Sequence, residues 1–309
     1  MTKPVGGPGS EAGHEPVTDS PADAVPAKRL PFSLLLPVYA GDRADYLRRA
    51  FDSATAEQTR RPDEAVIVRD GPVGPELEAE LDDIQRRSAV PVTVVALQNN
   101  VGLARALQAG LARARNDVIA RADADDVSQP DRFAVQLPVI EAGADLVGSA
   151  LAEFSTDEHV TGIVRTMPTA PDDIARYARM ADPFNHPTVV FRKQAVADAG
   201  GYEDLRLMED YLLFARMIAG GARVRNVPQV LVHYRVGAGA YRRRGGANML
   251  RSEIALQRAL HREGFTTRRQ YLRNLVVRGG YRLVPVGLRR WAYRSLLVTR
   301  RLPGVLRRS

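Results

Sequence analysis

Phe32-Ser-Leu-Leu-Leu-Pro-Val38 is an uninterrupted apolar run of strand length, and it is the first of four such runs in the chain. The later runs alternate with helical patterns, as strands over 64–68, 91–97 and 118–120 and helices over 46–59, 76–87 and 101–115. Apolar strands that alternate with helices are typical of a parallel sheet covered on both faces. The sequence therefore predicts an α/β fold with a doubly wound, mostly parallel sheet flanked by helices, which binds ligands at the carboxyl ends of its strands.

Length and composition limit the classes of protein that this chain can represent. Its 309 residues are enough for a large α/β domain with a sizeable core. Cysteine is absent, which excludes disulfides, thiolate metal sites and cysteine nucleophiles. The first 28 residues are rich in Pro, Gly, Ala and acids and lack the apolar core of a signal peptide. Since no stretch approaches the ~20 apolar residues that cross a bilayer, we expect a cytoplasmic protein.

Charge is distributed unevenly along the chain, whose net charge is +8. From Arg242 to Ser309 there are 18 arginines and no lysine, against the two acids Glu253 and Glu263, so the rest of the chain is net acidic. The sequence predicts a disordered leader over 1–29, an α/β domain over 30–240 and a basic helical extension over 241–309.

The acidic cluster Asp123-Ala-Asp125-Asp126 follows the fourth predicted strand directly. Clustered carboxylates repel one another unless a cation or water offsets their charge. Mg²⁺ and similar hard cations take oxygen ligands, often one or two carboxylates together with substrate phosphates. The cluster therefore predicts a site for Mn²⁺ or Mg²⁺ that bridges the protein to a diphosphate and neutralises a departing nucleoside diphosphate.

Other interpretations of these acids remain open at the level of sequence. The cluster can be a solvated turn that caps the helix beginning near Asp131, although capping needs only one acid. A calcium loop is disfavoured because the spaced ligands ending in Glu are absent, and the chain has no Gly-rich Walker loop. Asp70 follows the second strand and is expected at the same sheet edge as Asp123, but Asp also commonly ends strands for structural reasons.

Five segments stand in an order and spacing that resemble a known family: Ser33-Leu-Leu-Leu-Pro-Val-Tyr39, Val66-Ile-Val-Arg-Asp-Gly71, Asn100-Val-Gly-Leu-Ala-Arg105, Ala122-Asp-Ala-Asp-Asp126 and Met208-Glu-Asp-Tyr211. Over residues 31–235 the chain resembles inverting family 2 glycosyltransferases of the GT-A fold. Pro130-Asp-Arg-Phe-Ala-Val-Gln136 and Asn185-His-Pro-Thr188 are similar to the bacterial exopolysaccharide and capsule branch of that family. The resemblance implies metal-assisted transfer of a hexose-type sugar from a nucleotide-diphospho-sugar to an acceptor hydroxyl.

The resemblance also implies which residues bind the sugar nucleotide: Pro37, Val38, Tyr39, Asp70, Asn100, Gly102, Arg105, Asp123, Ala124, His186 and Arg235. Within this set Asp70 is expected to contact the base, and the guanidinium of Arg235 suits a diphosphate. The family usually has two acids before the glycine of the second segment, whereas Arg69 takes the first place here. The base is therefore left open, with a UDP-sugar favoured and GDP- or dTDP-sugars as alternatives.

Asp210 is implied to be the general base, with Glu209 as the second candidate. A single inverting displacement needs a base within hydrogen-bond reach of the attacking hydroxyl. Alternatively, these two acids only complement the dipole at a helix N-terminus. The metal set implied by the resemblance is Asp123, Asp125 and Asp126, with His233 as a further metal or diphosphate contact. His186 and His233 can each equally be structural.

The extension allows three interpretations. Arginines interleaved with Leu, Val, Tyr and Trp291 favour a surface that binds anionic lipids, which would place the enzyme peripherally at the inner face of the membrane and suit a lipid-linked acceptor. Packing on the α/β domain is weighed equally. Nucleic-acid binding is disfavoured because no recognised motif accompanies the charge. For the whole chain, the acceptor is a glycan or lipid-linked glycan, and the alternatives are a nucleotidyltransferase or a non-catalytic nucleotide-binding protein.

Overall fold

The computed structural model describes residues 29–237 and 247–283. Several sequence features lie outside these residues: the predicted leader apart from Arg29, the predicted boundary at 240–241, the basic Arg242–Gly246 segment and Trp291. The strands are β1 Phe32–Tyr39, β2 Glu64–Asp70, β3 Val92–Ala96, β4 Val118–Arg121, β5 Val127–Ser128, β6 Leu146–Phe154, β7 Val164–Arg165, β8 Val190–Arg192 and β9 Val224–Arg235. The α-helices are α1 Ala44–Ala54, α2 Pro75–Arg87, α3 Leu103–Arg113, α4 Arg132–Glu141, α5 Pro171–Ala178, α6 Lys193–Asp198, α7 Glu209–Ala219, α8 Ala247–Arg262, α9 Arg268–Asn274 and α10 Gly280–Leu283. A 3₁₀ turn spans His186–Thr188, and a π-helical turn, Leu275–Gly279, joins α9 to α10.

One mixed sheet runs through the protein in the order β3-β2-β1-β4-β8-β6-β9-β5, with β7 paired to β6. The four strands expected from the apolar runs are parallel, with β1 between β2 and β4. Beyond β4 the sheet is mixed, because β8 is antiparallel to both β4 and β6 while β6 and β9 are parallel. The predicted α/β architecture with a parallel half is confirmed, and the second half departs from the all-parallel pattern.

The central strands β1, β2 and β4 are largely apolar because both faces of the sheet are buried there. In β1, Leu34 and Leu36 pack into the core on one face, whereas Leu35 packs into the core on the other. The first core includes residues of α1, α2 and α4, and the second includes residues of α3, α6 and α7. This two-sided packing fixes the strand ends at which the polar residues of the site emerge.

The first helix is shorter than the predicted 46–59 and ends at Ala54. Polar side chains take over the hydrogen bonding beyond it: Thr55 Oγ1 donates to the Phe51 carbonyl at 2.6 Å, and Gln58 Nε2 donates to the Ser53 carbonyl at 2.6 Å. Such local side-chain bonds compete with helix continuation.

The described part of the basic extension packs on the α/β domain, which agrees with one of the three interpretations of its sequence. Leu256 and Leu260 of α8 share a buried apolar cluster with Tyr211 and Leu212 of α7. Glu253 is fully buried beside this cluster. Its carboxylate accepts hydrogen bonds from three side chains, Gln257 at 3.0 Å, Arg278 at 2.6 Å and Arg282 at 3.0 Å. Within residues 29–237 and 247–283, no helix is long and apolar enough to cross a membrane.

Candidate active site

The carboxyl edge of the parallel strands brings the predicted acidic residues together. Tyr39 at the end of β1 is in register with Asp70 at the end of β2, and β4 ends at Arg121 immediately before the cluster. A further acid lies at this edge: the Asp42 carboxylate accepts from the Tyr39 N–H at 2.9 Å. Burial, together with the charges of Asp125 and then Asp123, raises the pKa of Asp42 to about 7. The sequence analysis missed Asp42, because it stands in a turn after the strand with no pattern around it.

The acids of the cluster have different environments. Burial, followed by the charge of Asp123, raises the pKa of Asp125 to about 6. Burial also raises the pKa of Asp126 well above its ordinary value, with the charges of Asp123 and Asp125 adding to the effect. Negative charge in the cluster is therefore incompletely compensated by the protein itself.

Arg121 is the main cation of the site, and the sequence analysis missed it. Its buried guanidinium forms a bidentate ion pair with Asp123, with Nη1 2.7 Å from Oδ2 and Nη2 bonded to Oδ1. Arg132, which is buried beneath it in α4, donates from Nη2 to the Arg121 carbonyl at 2.6 Å. Burial, aided by the charge of Arg121, lowers the pKa of Arg132 to about 9. Asp123 is thus held in place by a neighbouring cation.

Asp126 and Arg235 join the cluster to β9. The Arg235 N–H donates to Asp126 Oδ1 at 2.8 Å, and its Nε donates to the Asp125 carbonyl at 2.9 Å. The other oxygen of Asp126 is buried and has no hydrogen-bond partner among the described residues. The Arg235 guanidinium lies between two rings, 3.9 Å from the centroid of Tyr46 and 4.4 Å from that of Phe154. Asp126 therefore has a structural contact that Asp125 lacks.

The side chains at this edge of the sheet can hold a divalent metal only if the substrate supplies further oxygen ligands. Among residues 29–237 and 247–283, no group of three or more His, Cys, Asp or Glu side chains is arranged to hold a metal. Mg²⁺, however, commonly uses one or two carboxylates and completes its shell with phosphates and water. The uncompensated charge at Asp125 fits such an ion. His233 is paired across the strands with Val127, and its ring lies 6.5 Å from that of Phe154; its role as a ligand stays a prediction.

The predicted base is at the N-terminus of α7. Asp210 Oδ1 accepts from the Tyr211 N–H at 2.8 Å, and burial raises the pKa of Asp210. Burial, followed by the charge of Asp210, raises the pKa of Glu209 to about 7. Leu207, two residues before this pair, has a φ of 65°, a strained conformation for a non-glycine residue. The chain is therefore turned sharply just where it presents the two acids.

His186 lies against the base. Its Nδ1 is 3.6 Å from Asp210 Oδ2, and its Nε2 is 2.9 Å from the Tyr202 hydroxyl. Burial holds the pKa of His186 well below its ordinary value, so the ring is neutral. His186 was predicted among the sugar-nucleotide-binding residues, which stays a prediction, and the structure places its buried ring beside Asp210. Tyr202 was not foreseen.

Asp182 is a second carboxyl group at the base that the sequence analysis missed. Its side chain is hydrogen-bonded to that of Asp210, and its Oδ1 accepts from the Phe184 N–H at 3.1 Å. Burial and the charge of Asp210 raise the pKa of Asp182 well above its ordinary value. Two carboxyl groups in hydrogen-bond contact must hold a proton between them, so they titrate as a pair.

Arg121 connects the two halves of the site. Its charge acts on Asp125 and Asp126 in the cluster, and it also lowers the pKa of Asp210 and of Glu209. The charge of Asp123 likewise acts on Asp210. The predicted metal cluster and the predicted base therefore belong to one electrostatic site.

The residues predicted on the nucleotide side are only partly available to a ligand. Asp70 accepts from the Val101 N–H at 2.7 Å and the Gly102 N–H at 3.0 Å, so its carboxylate fixes the loop before α3. The Val38 and Ala124 side chains are buried in the core, and their role in binding the sugar nucleotide stays a prediction. Tyr39 is 47% exposed and faces outward. Pro37 is half-buried.

Backbone geometry explains the glycines and polar residues of this loop. Gly102 has a φ of 87°, a conformation that glycine adopts readily, and Asn100 Nδ2 donates to the Asp70 carbonyl at 3.2 Å. Arg105 pairs with Asp204 at 3.3 Å in the segment that leads to α7. Arg69, which replaces the family's first acid, is turned to α2, where it pairs with Glu78 at 2.7 Å.

Comparisons with known proteins agree with this arrangement. The model of the family described as glycosyl transferase family 2 matches residues 33–200. The amylovoran biosynthesis glycosyltransferase AmsE of Erwinia amylovora is 37% identical over 85% of this chain and 97% of that protein. The UDP-Gal:alpha-D-GlcNAc-diphosphoundecaprenol beta-1,3-galactosyltransferase of Escherichia coli is 32% identical over 86% of this chain and 96% of that protein.

Solved structures with low sequence identity share the fold. The S. aureus protein TarS (residues 1–349), in complex with UDP-GlcNAc, matches with a TM-score of 0.63 and 16% identity, covering 87% of this chain and 76% of that chain. The mannosyltransferase PcManGT of Pyrobaculum calidifontis, in complex with GDP-Man and Mn²⁺, matches with a TM-score of 0.59 and 16% identity over 91% and 78%.

Dependence on a divalent metal is general among enzymes of this family and fold. The family model matches more than half of the chain. The chain also aligns with nearly the full length of both relatives, which are glycosyltransferases. The predicted GT-A architecture, the enzyme class and the connection with bacterial polysaccharide biosynthesis are thereby confirmed. The chain belongs to glycosyl transferase family 2, whose members transfer a sugar from a nucleotide sugar to an acceptor.

Proposed function

We propose that Asp210 is the general base of a single inverting displacement, and that the donor is a UDP-sugar bound along the carboxyl edge of β1, β2 and β4. The observation that carries this proposal is the placement of Asp210 beside Asp182 and His186, with the Arg121–Asp123 ion pair linking it to the acidic cluster. An ionised carboxylate at this position can accept the proton of an acceptor hydroxyl as that oxygen attacks the anomeric carbon.

Within the proposed mechanism, the residues of this chain have separate tasks. The Asp182 carboxyl donates a hydrogen bond that keeps the Asp210 carboxylate oriented and ionised. His186 is neutral and fixed by Tyr202, so it packs against Asp210 without adding a positive charge. Burial of this group excludes water that would otherwise compete with the acceptor for the sugar. Glu209 is the adjacent acid and the second candidate for the base.

Asp125 is the first candidate to hold the metal, with Asp123 as its partner on the same edge. When bound there, Mn²⁺ or Mg²⁺ supplies Lewis-acid neutralisation of the diphosphate. Asp126 is the weaker candidate because one of its oxygens is bonded to the Arg235 backbone and the other is buried. Arg235, stacked between Tyr46 and Phe154, remains a candidate for the diphosphate.

The donor and acceptor classes rest on the relatives. The name of the E. coli relative gives UDP-Gal as its donor and a GlcNAc-diphosphoundecaprenol acceptor, which supports a UDP-sugar and a lipid-linked glycan here. GDP- and dTDP-sugars remain the alternatives for the donor, and a soluble glycan for the acceptor. A cytoplasmic location with peripheral contact at the inner face of the membrane stays part of this proposal.

The test is a transfer assay with full-length protein, Mn²⁺ or Mg²⁺, and a panel of UDP-, GDP- and dTDP-hexoses, using a synthetic diphospholipid-linked GlcNAc as acceptor. We expect turnover with a UDP-sugar and a product whose new anomeric configuration, read by NMR, is opposite to that of the donor. Retention of configuration would contradict the assignment of Asp210 as the base of a single displacement, and a GDP- or dTDP-sugar as the best donor would overturn the donor assignment.

A further inference from the structure

Four apolar side chains are exposed along the last described helical stretch. Leu272 is 56% exposed, Val276 74%, Val277 63% and Tyr281 36%. Leu272 and Val276 are four residues apart, as are Val277 and Tyr281, so the members of each pair are neighbours on one side of the helical stretch. These side chains form one stripe, which we call the apolar stripe. Contiguous exposed apolar surface of this kind marks a contact with another molecule or with a membrane.

The opposite side of the same stretch is polar and faces the protein. Asn274 Nδ2 donates to Gln257 Oε1 at 3.0 Å and to the Arg179 carbonyl at 2.9 Å. Arg278 and Arg282 are both bonded to the buried carboxylate of Glu253. A helix on the surface of a soluble domain usually packs its apolar face inward. This stretch does the opposite, because its polar side packs on the protein and its apolar side is exposed. Its orientation is fixed by the buried hydrogen bonds, so the stripe is held outward.

Positive charge borders the stripe. Arg268, Arg269 and Arg273 are exposed on α9, the first two before the stripe and Arg273 between Leu272 and Val276. No acid follows Glu263 in the whole chain, so no carboxylate in the sequence beyond that residue offsets these charges. Arginines next to an apolar stripe complement anionic headgroups above acyl chains. A second copy of the chain would bring like charges together, and a nucleic acid would leave the apolar side chains unpaired.

The stripe is also close to the proposed base. Arg278, which is adjacent to Val277, donates from Nη1 to the Met180 carbonyl at 3.1 Å, and its guanidinium lies 5.4 Å from the centroid of the Tyr211 ring. Its charge acts on Asp182, the partner of Asp210. Arg278 therefore reaches from the stretch that carries the stripe towards the carboxyl pair.

We propose that the apolar stripe and its bordering arginines dock the enzyme on an anionic lipid bilayer and so present Asp210 to an acceptor anchored in that bilayer. The docking surface stands on the exposure and charge of the extension alone. Only the link to a lipid-anchored acceptor rests on the proposed function.

Co-sedimentation of full-length protein with vesicles tests this directly, using phosphatidylglycerol with phosphatidylethanolamine in one arm and phosphatidylcholine in the other. We expect binding to the anionic vesicles, and a loss on the order of tenfold in the triple variant Leu272→Ser, Val276→Ser, Val277→Ser. Val160→Ser is the matched control, because Val160 is 71% exposed on the α/β domain. Arg269→Gln with Arg273→Gln should weaken anionic binding only, while Arg86→Gln, at an arginine that is 68% exposed on α2, should not.

Circular dichroism and hydrolysis of UDP-sugar without acceptor report whether each variant is folded. Vesicle binding by the triple variant at the wild-type level, or no binding by the wild type, would overturn the proposal. A change in oligomeric state in place of vesicle binding would identify the stripe as a protein interface and overturn it too. Wild-type transfer to a soluble acceptor together with reduced transfer to a vesicle-borne acceptor would support it. Vesicle binding without any transfer would instead leave the docking surface standing and count against the proposed function.

Discussion

The guanidinium of Arg121 is buried and paired with the carboxylate of Asp123, with Nη1 2.7 Å from Oδ2. This ion pair connects the strand that carries the acidic cluster to the site of the base, because the same charge acts on Asp125 and on Asp210. The positive charge of Arg121 therefore neutralises part of the negative charge of the acidic cluster, and a metal bound there would neutralise the remainder.

Arg121→Gln should destabilise the fold. Removal of one partner of a buried ion pair leaves an uncompensated buried charge and typically costs about 3–5 kcal/mol. Urea unfolding measures the loss, and Arg86→Gln at an exposed arginine should cost less than about 1 kcal/mol. A loss of the same size in both variants would show that the Arg121–Asp123 pair is not essential to the stability of the fold.

Asp125→Asn and Asp126→Asn should have different effects although the residues are adjacent. Asp125→Asn should remove the metal-dependent part of UDP binding, a loss on the order of tenfold or more, because the Asp125 carboxylate, unlike that of Asp126, is not bonded to the Arg235 backbone and is available to a metal. Asp126→Asn should leave most of the Mn²⁺-dependent affinity in place, since the amide oxygen can still accept from the Arg235 N–H. Isothermal titration with UDP, with and without Mn²⁺, separates them; unchanged Mn²⁺-dependent affinity in Asp125→Asn would remove Asp125 from the metal site.

Asp182→Asn should change the pH dependence of kcat/KM more than the maximum value of kcat/KM. In the wild type kcat/KM should fall at low pH, where the second proton enters the Asp182–Asp210 pair and Asp210 is no longer ionised. It should fall again at high pH, where the pair loses its shared proton and two negative charges repel each other. The amide of Asn keeps the hydrogen bond but carries no titrating proton, so the high-pH limb should disappear.

Other charged or titratable groups surround the pair and bear on this profile, namely Arg121, Asp123, His186, Tyr202, Glu209 and Arg278. Asp182→Leu serves as the companion variant, because it removes the donor and should lower kcat on the order of tenfold or more at every pH. Identical profiles for Asp182→Asn and the wild type would show that the shared proton does not contribute to the reaction.

Gly71→Ala should disturb the nucleotide side of the site. Gly71 has a φ of 85°, and a Cβ there would lie 2.5 Å from the Asn100 backbone nitrogen. Strain of this kind costs on the order of 1–3 kcal/mol, and it should also weaken UDP binding by displacing the loop that Asp70 holds. Gly74→Ala is the control, since a Cβ at Gly74 meets nothing within 4 Å. Equal stability of the two variants by thermal unfolding would contradict the close approach of these loops.

The sequence predicted the features that depend on local patterns. Apolar strands revealed the parallel half of the sheet, because burial on both faces leaves few polar positions in them, and the strand-end acids followed from that topology. Asp182 could not be predicted, since its partner Asp210 lies 28 positions further along the chain and Asp-Pro looks like an ordinary turn. Arg121 was overlooked because its burial is a property of the folded sheet edge, although its partner Asp123 is only two positions away in the chain. The distinction between Asp125 and Asp126 depends on β9, which returns to the cluster from more than 90 residues away.

The account depends most on Asp210 as the base, and its direct test is single-turnover transfer by Asp210→Asn beside a measurement of donor binding. The amide is close in shape to the carboxylate but cannot accept the acceptor proton, so general-base catalysis predicts a rate lower by on the order of 10²–10⁴-fold. UDP-sugar affinity should stay at the wild-type value, because Asp210 lies on the acceptor side of Arg121. Transfer by Asp210→Asn at the wild-type rate would contradict the account.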